Sequence, residues 1–177
     1  FILAAYYNGI AHPPGYPLYT IFGHLSTWLP IGSIAFRVHA LSALFGSLSC
    51  CCLWWITRMI INERIYAYIA AFSFGFSKVF WSQSIIAEVY TLNVLLFLLL
   101  VILIFYWVEF YKEEYSRWLL RGMAVIYGLS ISNHWPLLAI STPMLLALIW
   151  EKKREFLCQL PRIFPWIFLG LSPYLWM

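Results

Sequence analysis

From Val89 to Val108 the chain runs through twenty residues without one Lys, Arg, Asp or Glu. A helix rises about 1.5 Å per residue, so about twenty apolar residues match the ~30 Å hydrocarbon core of a bilayer. Nothing else in the sequence constrains the fold as much. Val38 to Thr57 is a second charge-free run, and Ile65 to Trp81 is a shorter one containing Lys78. Gly122 to Trp150 is too long for one ordinary span, and a last run covers Ile163 to Met177. Only 10% of the 177 residues are charged, against about 25% in a soluble domain. The expected class is therefore all-α integral membrane protein. The abundant Trp and Tyr suit the membrane–water boundary.

Charge placement orders these runs. Nine of the eleven Lys and Arg fall in three clusters: Arg58 and Arg64; Lys112, Arg117 and Arg121; Lys152, Lys153, Arg154 and Arg162. Positively charged loops stay cytoplasmic. All three clusters share that side if the long run crosses twice, or dips in as a re-entrant hairpin, turning at Ser132-Asn133-His134-Trp135-Pro136, where polar residues and a proline break the apolar pattern. This predicts about six crossings, near 36–59, 65–81, 89–108, 120–132, 135–150 and 163–177, in one transmembrane domain. Residues 1–33, the Lys78–Glu88 connection and the turn face the other side, periplasm or lumen. The chain starts at Phe1, without Met, and reads as a fragment. No basic tract of the nucleic-acid type is present. Cys50, Cys51, Cys52 and Cys158 read as small apolar residues rather than as a metal site.

The sorting leaves one carboxylate on the outer side, Glu88, since the other six lie in or beside the basic loops. An ionisable group at membrane depth is a functional candidate; the plainer reading is a carboxylate at the positive end of a helix dipole. A second outer group is Ala11-His12-Pro13-Pro14-Gly15-Tyr16-Pro17-Leu18-Tyr19. Three prolines and a glycine in five residues forbid a regular helix there. His12 suits acid–base work or a phosphate contact. Leu18, Ile21, Phe22 and Leu25 then recur at helical spacing and predict an amphipathic surface helix over Leu18–Leu29. Arg37, at the outer end of the first span, fits headgroup snorkelling or a bidentate lipid-phosphate contact. His12, His24, His39 and His134 lack ligand spacing, so no metal site is expected.

Three motifs in order carry a resemblance: the proline-rich stretch just quoted; Gly32-Ser33-Ile34-Ala35-Phe36-Arg37-Val38; and Ala87-Glu88-Val89-Tyr90-Thr91-Leu92-Asn93. Gly128-Leu129-Ser130 with Asn133, and Gly170-Leu171-Ser172-Pro173-Tyr174-Leu175, extend it over essentially the whole chain. Together they resemble the transmembrane protein O-mannosyltransferase family, whose bacterial members were long labelled a domain of unknown function. His39 stands where that pattern leads one to expect Asn. The resemblance implies a GT-C-type membrane glycosyltransferase of the bacterial inner membrane or endoplasmic reticulum. It implies inverting transfer of a sugar, mannose above all, from a polyprenyl-phosphate carrier to a protein or glycan hydroxyl. Acidic residues upstream of Phe1 would be the main candidates for catalytic base, so this piece alone is expected to be inactive. Within it, the catalytic assignments are Glu88 and His12, and the substrate or donor-phosphate assignments are Arg37, Tyr16, Tyr19, Asn93 and His134. The expected partners are membrane lipid, the polyprenyl-phosphate donor and the acceptor; nothing supports a divalent metal. The rival reading is a polytopic transporter or lipid flippase, against which no internal repeat is found.

Overall fold

In the computed structural model, which describes residues 1–13 and 15–176, every regular element is helical among the described residues. Pro14 of the proline-rich motif and Met177 of the last run lie outside them. Two short helices, α1 (Ile2–Tyr7) and α2 (Pro17–Thr27), precede the long α3 (Ile34–Ile60). α4 (Arg64–Gly75), α5 (Lys78–Ser84) and α6 (Tyr90–Phe110) follow, then α7 (Ser116–Ile149) and α8 (Lys153–Gly170). Short 3-10 turns cover Trp150–Lys152 and Ser172–Leu175. Three helical stretches are long and apolar enough to cross a membrane: Ile34–Ile60, Tyr90–Phe110 and Ser116–Gly170.

α6 is the central pillar. Its buried residues, among them Leu92, Leu95, Leu98, Val101 and Ile104, fall on every face. A helix apolar all round belongs inside a bundle or a membrane. α3 lies on one side of it, running parallel: Ser42 Oγ reaches the Glu88 carbonyl at 3.5 Å, and Trp55 Nε1 donates to Tyr106 Oη at 3.2 Å. Ser33 caps α3, its hydroxyl accepting from the Phe36 N–H at 3.2 Å.

The 55-residue stretch Ser116–Gly170 is not a rod. His134 has extended backbone (φ −158°, ψ 83°) inside α7. Tyr127 Oη and Thr142 Oγ1, fifteen residues apart, are 3.1 Å from each other. In a continuous helix they would stand about 22 Å apart, so the chain doubles back at His134 and its arms, 116–133 and 135–149, run antiparallel. The local chemistry agrees. The His134 ring accepts the Leu137 N–H at 3.3 Å as an N-cap would, and Pro136 occupies the first turn, where its missing N–H costs nothing.

One sequence expectation changes. The single span over 65–81 is two helices, α4 and α5, broken at Phe76–Ser77 after Gly75. The broken run climbs along α3: the Tyr68 ring lies 5.8 Å from Trp54, and Ser84 lies beside Gly46. Lys78 opens α5, so the expected Lys78–Glu88 connection is largely helical. The helix expected near Leu18–Leu29 is α2, which docks by Tyr19, Gly23 and Ser26, while Phe22 and Leu25 are exposed. A Cβ on Gly23 would come within 2.8 Å of Ala5 Cβ. Leu18 is buried, Ile21 half-buried, and Phe22 and Leu25 face outward, as the apolar face of a helix lying at a membrane surface would. In lipid there is no gain from hiding leucines from water, and helices approach through their small residues.

The ends of the bundle differ in charge. The α3–α4, α6–α7 and α7–α8 connections gather at one end, where Lys152 Nζ sits 4.7 Å over the Tyr111 ring and Phe156 packs on Trp107. We call this the basic end. At the opposite end lie α1, α2, the start of α6, the tip of α7 and the end of α8. Trp176 Nε1 there donates to Asn8 Oδ1 at 2.9 Å, and Ser132 Oγ to the Gly170 carbonyl at 3.0 Å.

Candidate functional site

At that opposite end three segments distant in sequence meet around Glu88. The first is the proline-rich turn, closed by Gly15 N–H donating to the His12 carbonyl at 2.9 Å. Tyr16 follows in the left-handed region (φ 50°, ψ 53°), where a bulky residue is strained by about 1–3 kcal/mol. Pro17 keeps its predecessor out of the right-handed helical region, and the Tyr16 carbonyl starts α2 by accepting from the Thr20 N–H at 3.1 Å. The strain is held by packing. The Tyr16 ring is 8% exposed, stacks on His134 at 5.5 Å and meets His12 edge-on at 5.1 Å.

The second segment is the start of α6. Glu88 is half-buried, two residues ahead of the first helical residue. Burial pushes the Tyr16 phenol above its ordinary value, and Tyr90 and Glu88 beside it push it further. Burial also pushes Tyr19 up to about 12; its hydrogen bond from Ser42 opposes the rise and Glu88 adds to it. The Glu88 carboxylate therefore acts on both phenols. The Tyr90 ring also packs on His134, at 5.7 Å.

The third segment is the tip of α7. Asn133 is 1% exposed, and its Nδ2 donates to the Val89 carbonyl at 3.1 Å. The tip is thereby fastened to the residue next to Glu88. Two buried polar atoms beside this clamp, Asn133 Oδ1 and Thr91 Oγ1, have no hydrogen-bond partner among the described residues. Such atoms are where buried water is found. Because His134 Nδ1 accepts from Leu137, its Nε2 carries the proton in the neutral ring and is a donor.

The structure brings together Glu88, His12, Tyr16 and His134, and separates the rest of the predicted set. Tyr19 is fully buried, its hydroxyl 2.7 Å from Ser42 Oγ; it fastens α2 to α3. Its raised pKa keeps it a neutral phenol, so the stability it brings holds below pH ~10 and is lost as pH rises toward 12. Tyr19→Phe leaves the buried Ser42 hydroxyl with only the long contact to Glu88, and is expected to cost about 1–2 kcal/mol, read as a lower thermal midpoint. Arg37 donates to the carbonyls of Thr27 at 2.5 Å, Ile31 at 2.6 Å and Gly32 at 3.1 Å. It ties off the C-terminal end of α2, with three of its five N–H groups engaged by main chain. Asn93 is half-buried one turn into α6, its N–H bonded to the Val89 carbonyl at 3.0 Å. His12 is exposed at the rim, against Phe1 and Tyr16.

Tyr90, Asn133 and Ser42 were not singled out as site residues. Tyr90 and Asn133 stood inside the motifs, and Ser42 is a lone hydroxyl in an apolar span; their partners lie 23 to 46 positions away. No three His, Cys, Asp or Glu side chains among the described residues come together so as to hold a metal ion.

The chain matches the family described as "Protein O-mannosyl-transferase TMEM260 N-terminal domain" over residues 1–157. It is 34% identical over 180 residues to the protein O-mannosyl-transferase TMEM260 of Mus musculus, covering 99% of this chain and 26% of that protein. It is 28% identical over 189 residues to the Dictyostelium discoideum protein of the same name, covering 98% of this chain and 23% of that one. The chain thus spans about a quarter of the length of these curated relatives. No solved structure matches it significantly.

Proposed function

Because the chain belongs to the N-terminal domain family of the TMEM260 protein O-mannosyl-transferases, we propose that it is the N-terminal piece of a membrane mannosyltransferase whose site is completed by other parts of the protein. The proposed reaction moves mannose from a polyprenyl-phosphate carrier to a Ser or Thr hydroxyl, on the periplasmic or lumenal side, within a GT-C-like bundle of about six crossings. The acceptor oxygen attacks the anomeric carbon; the bond from that carbon to the phosphate oxygen breaks, and the lipid phosphate leaves with the electron pair. The acceptor proton passes to a carboxylate, which must lie within about 3 Å of it.

The observation that carries this reading is Glu88, half-buried at the end opposite the basic clusters, whose charge raises the Tyr16 phenol and whose neighbour Val89 is bonded to Asn133 of the α7 tip. It is the only acidic side chain of this piece at that end. We assign it the second acidic position, supporting the base or receiving the acceptor. His12, at the rim, is assigned to the donor phosphate. The rings of Tyr16, Tyr90 and His134 offer an apolar wall with polar edges, of the kind that orients a small polar ligand. Mixing the full-length protein with labelled mannosyl-phospho-polyprenol and a Ser/Thr peptide is expected to label the peptide. Absence of transfer, with movement of the donor between leaflets of reconstituted vesicles, would establish the transporter instead.

A further inference from the structure

A second cavity lies toward the basic end, away from Glu88. It has a volume of about 560 Å³, between α6, both arms of α7 and α8. Its inner wall is buried: Leu100, Ile104, Met123 and Ile163. Leu146 and Leu157 on its flank are exposed, so it opens sideways, toward lipid in a chain that spans a membrane. The cause is visible in the helix crossing. α7 and α8 touch at Gly128 and Gly170, where a Cβ on Gly128 would come 2.8 Å from Gly170 Cα. That contact closes one end of the wedge and leaves the other open.

The cavity is polar at only two places. Near the closed end Tyr127 and Thr142 satisfy each other. At the basic end the lining carries Lys153, whose Nζ lies 3.9 Å over the Trp150 ring; outside the lining, Lys152 and Lys112 both lean on Tyr111, at 4.7 and 5.7 Å. Arg154 adds a fourth cation, against Glu151 and Glu155 in the same turn. Lys153, resting on the lining Trp150 ring, is held at the mouth, with Lys152 next to it in the chain.

Length and the cation at the mouth point to the occupant. From Lys153 to Ile167 the wall is about 21 Å long at ~1.5 Å per residue, more than the ~15 Å of hydrocarbon in one leaflet. The slot is long enough for an acyl chain and opens toward the side where lipid lies. We infer that it holds an anionic glycerophospholipid of the leaflet at the basic end, one chain in the slot and the phosphate beside Lys152 and Lys153. Attraction of this kind amounts to roughly fivefold per lysine near an anionic surface.

The test uses the full-length protein in nanodiscs, with phosphatidylserine or phosphatidylcholine carrying a photoreactive acyl chain. Phosphatidylserine is expected to label the segments around Leu145 and Ile163. The K152E/K153E protein, altered only at the mouth, should lose about tenfold or more of that labelling. Leu145→Trp, which fills the slot, should lose it too; should that variant misfold, the lysine pair decides alone. Equal labelling by phosphatidylcholine, labelling unchanged in K152E/K153E, displacement by polyprenyl phosphate, or a crosslink showing protein in the slot would each overturn the inference.

Discussion

Glu88→Gln in the full-length protein is expected to lower mannosyl transfer by about 100-fold while leaving expression and thermal stability near wild type. The substitution keeps the shape of the side chain and removes its charge. Acid–base and charge-stabilising groups of this type contribute about 10²–10⁴-fold. The protein should still fold, because Glu88 enters the packing through its main chain: its N–H bonds the Ile86 carbonyl at 3.0 Å, and its own carbonyl faces Ser42. Glu88→Asp should recover part of the loss. A second readout separates chemistry from packing. The carboxylate helps hold the Tyr16 phenol up, so the Gln variant should titrate Tyr16 at lower pH, seen in its ultraviolet absorbance. Transfer within threefold of wild type would remove Glu88 from the site.

The second large effect is structural. Gly128→Ala and Gly170→Ala each place a Cβ against backbone. On Gly128 it meets Gly170 Cα at 2.8 Å and presses on the Ile167 carbonyl; on Gly170 it meets Leu129 N at 2.8 Å. A main chain cannot rotate away as a side chain can, so the helices must separate at a cost of about 1–3 kcal/mol or more. Separation also strains the bond from Ser132 to the Gly170 carbonyl and the one from Tyr174 to the Ile131 carbonyl, which hold the α7 tip to the end of α8. A fall of several degrees in the thermal midpoint is expected. Gly122→Ala is the control, because its Cβ would meet only Leu103 Cδ1 at an ordinary 3.6 Å. Equal behaviour of Gly122→Ala and Gly128→Ala would show that the crossing is not a tight contact.

Part of the site could be seen in the linear chain. Glu88 stood out because the other carboxylates accompany basic residues, and His12 and Tyr16 because prolines hold them in a turn. Tyr19 and Arg37 looked equally eligible by residue type. Both proved to be fasteners, since a phenol or guanidinium says nothing of its partner: Ser42 in one case and three carbonyls in the other. Asn133 was overlooked as a site residue for the reverse reason. Its partner, the Val89 carbonyl, is a main-chain atom 44 residues away, and main-chain acceptors carry no mark in a sequence.

The sequence by itself determined that this chain is helical and built for a bilayer, because apolar runs of span length leave the backbone no other way to satisfy its hydrogen bonds there. It also determined where charge could gather, and marked 132–136 as a break, since a proline following polar residues cannot sit inside an apolar helix unremarked. Which face of each helix turned inward was decided only in three dimensions. In lipid a leucine gains little by being hidden, so the apolar pattern that orients helices in water left α2 undetermined. Close contacts oriented it instead: Gly23 on Ala5, and Tyr19 on Ser42. The same kind of contact, Asn133 on Val89, set the reversal at His134 against the start of α6 and brought its imidazole onto Tyr16, making one site of three separate segments.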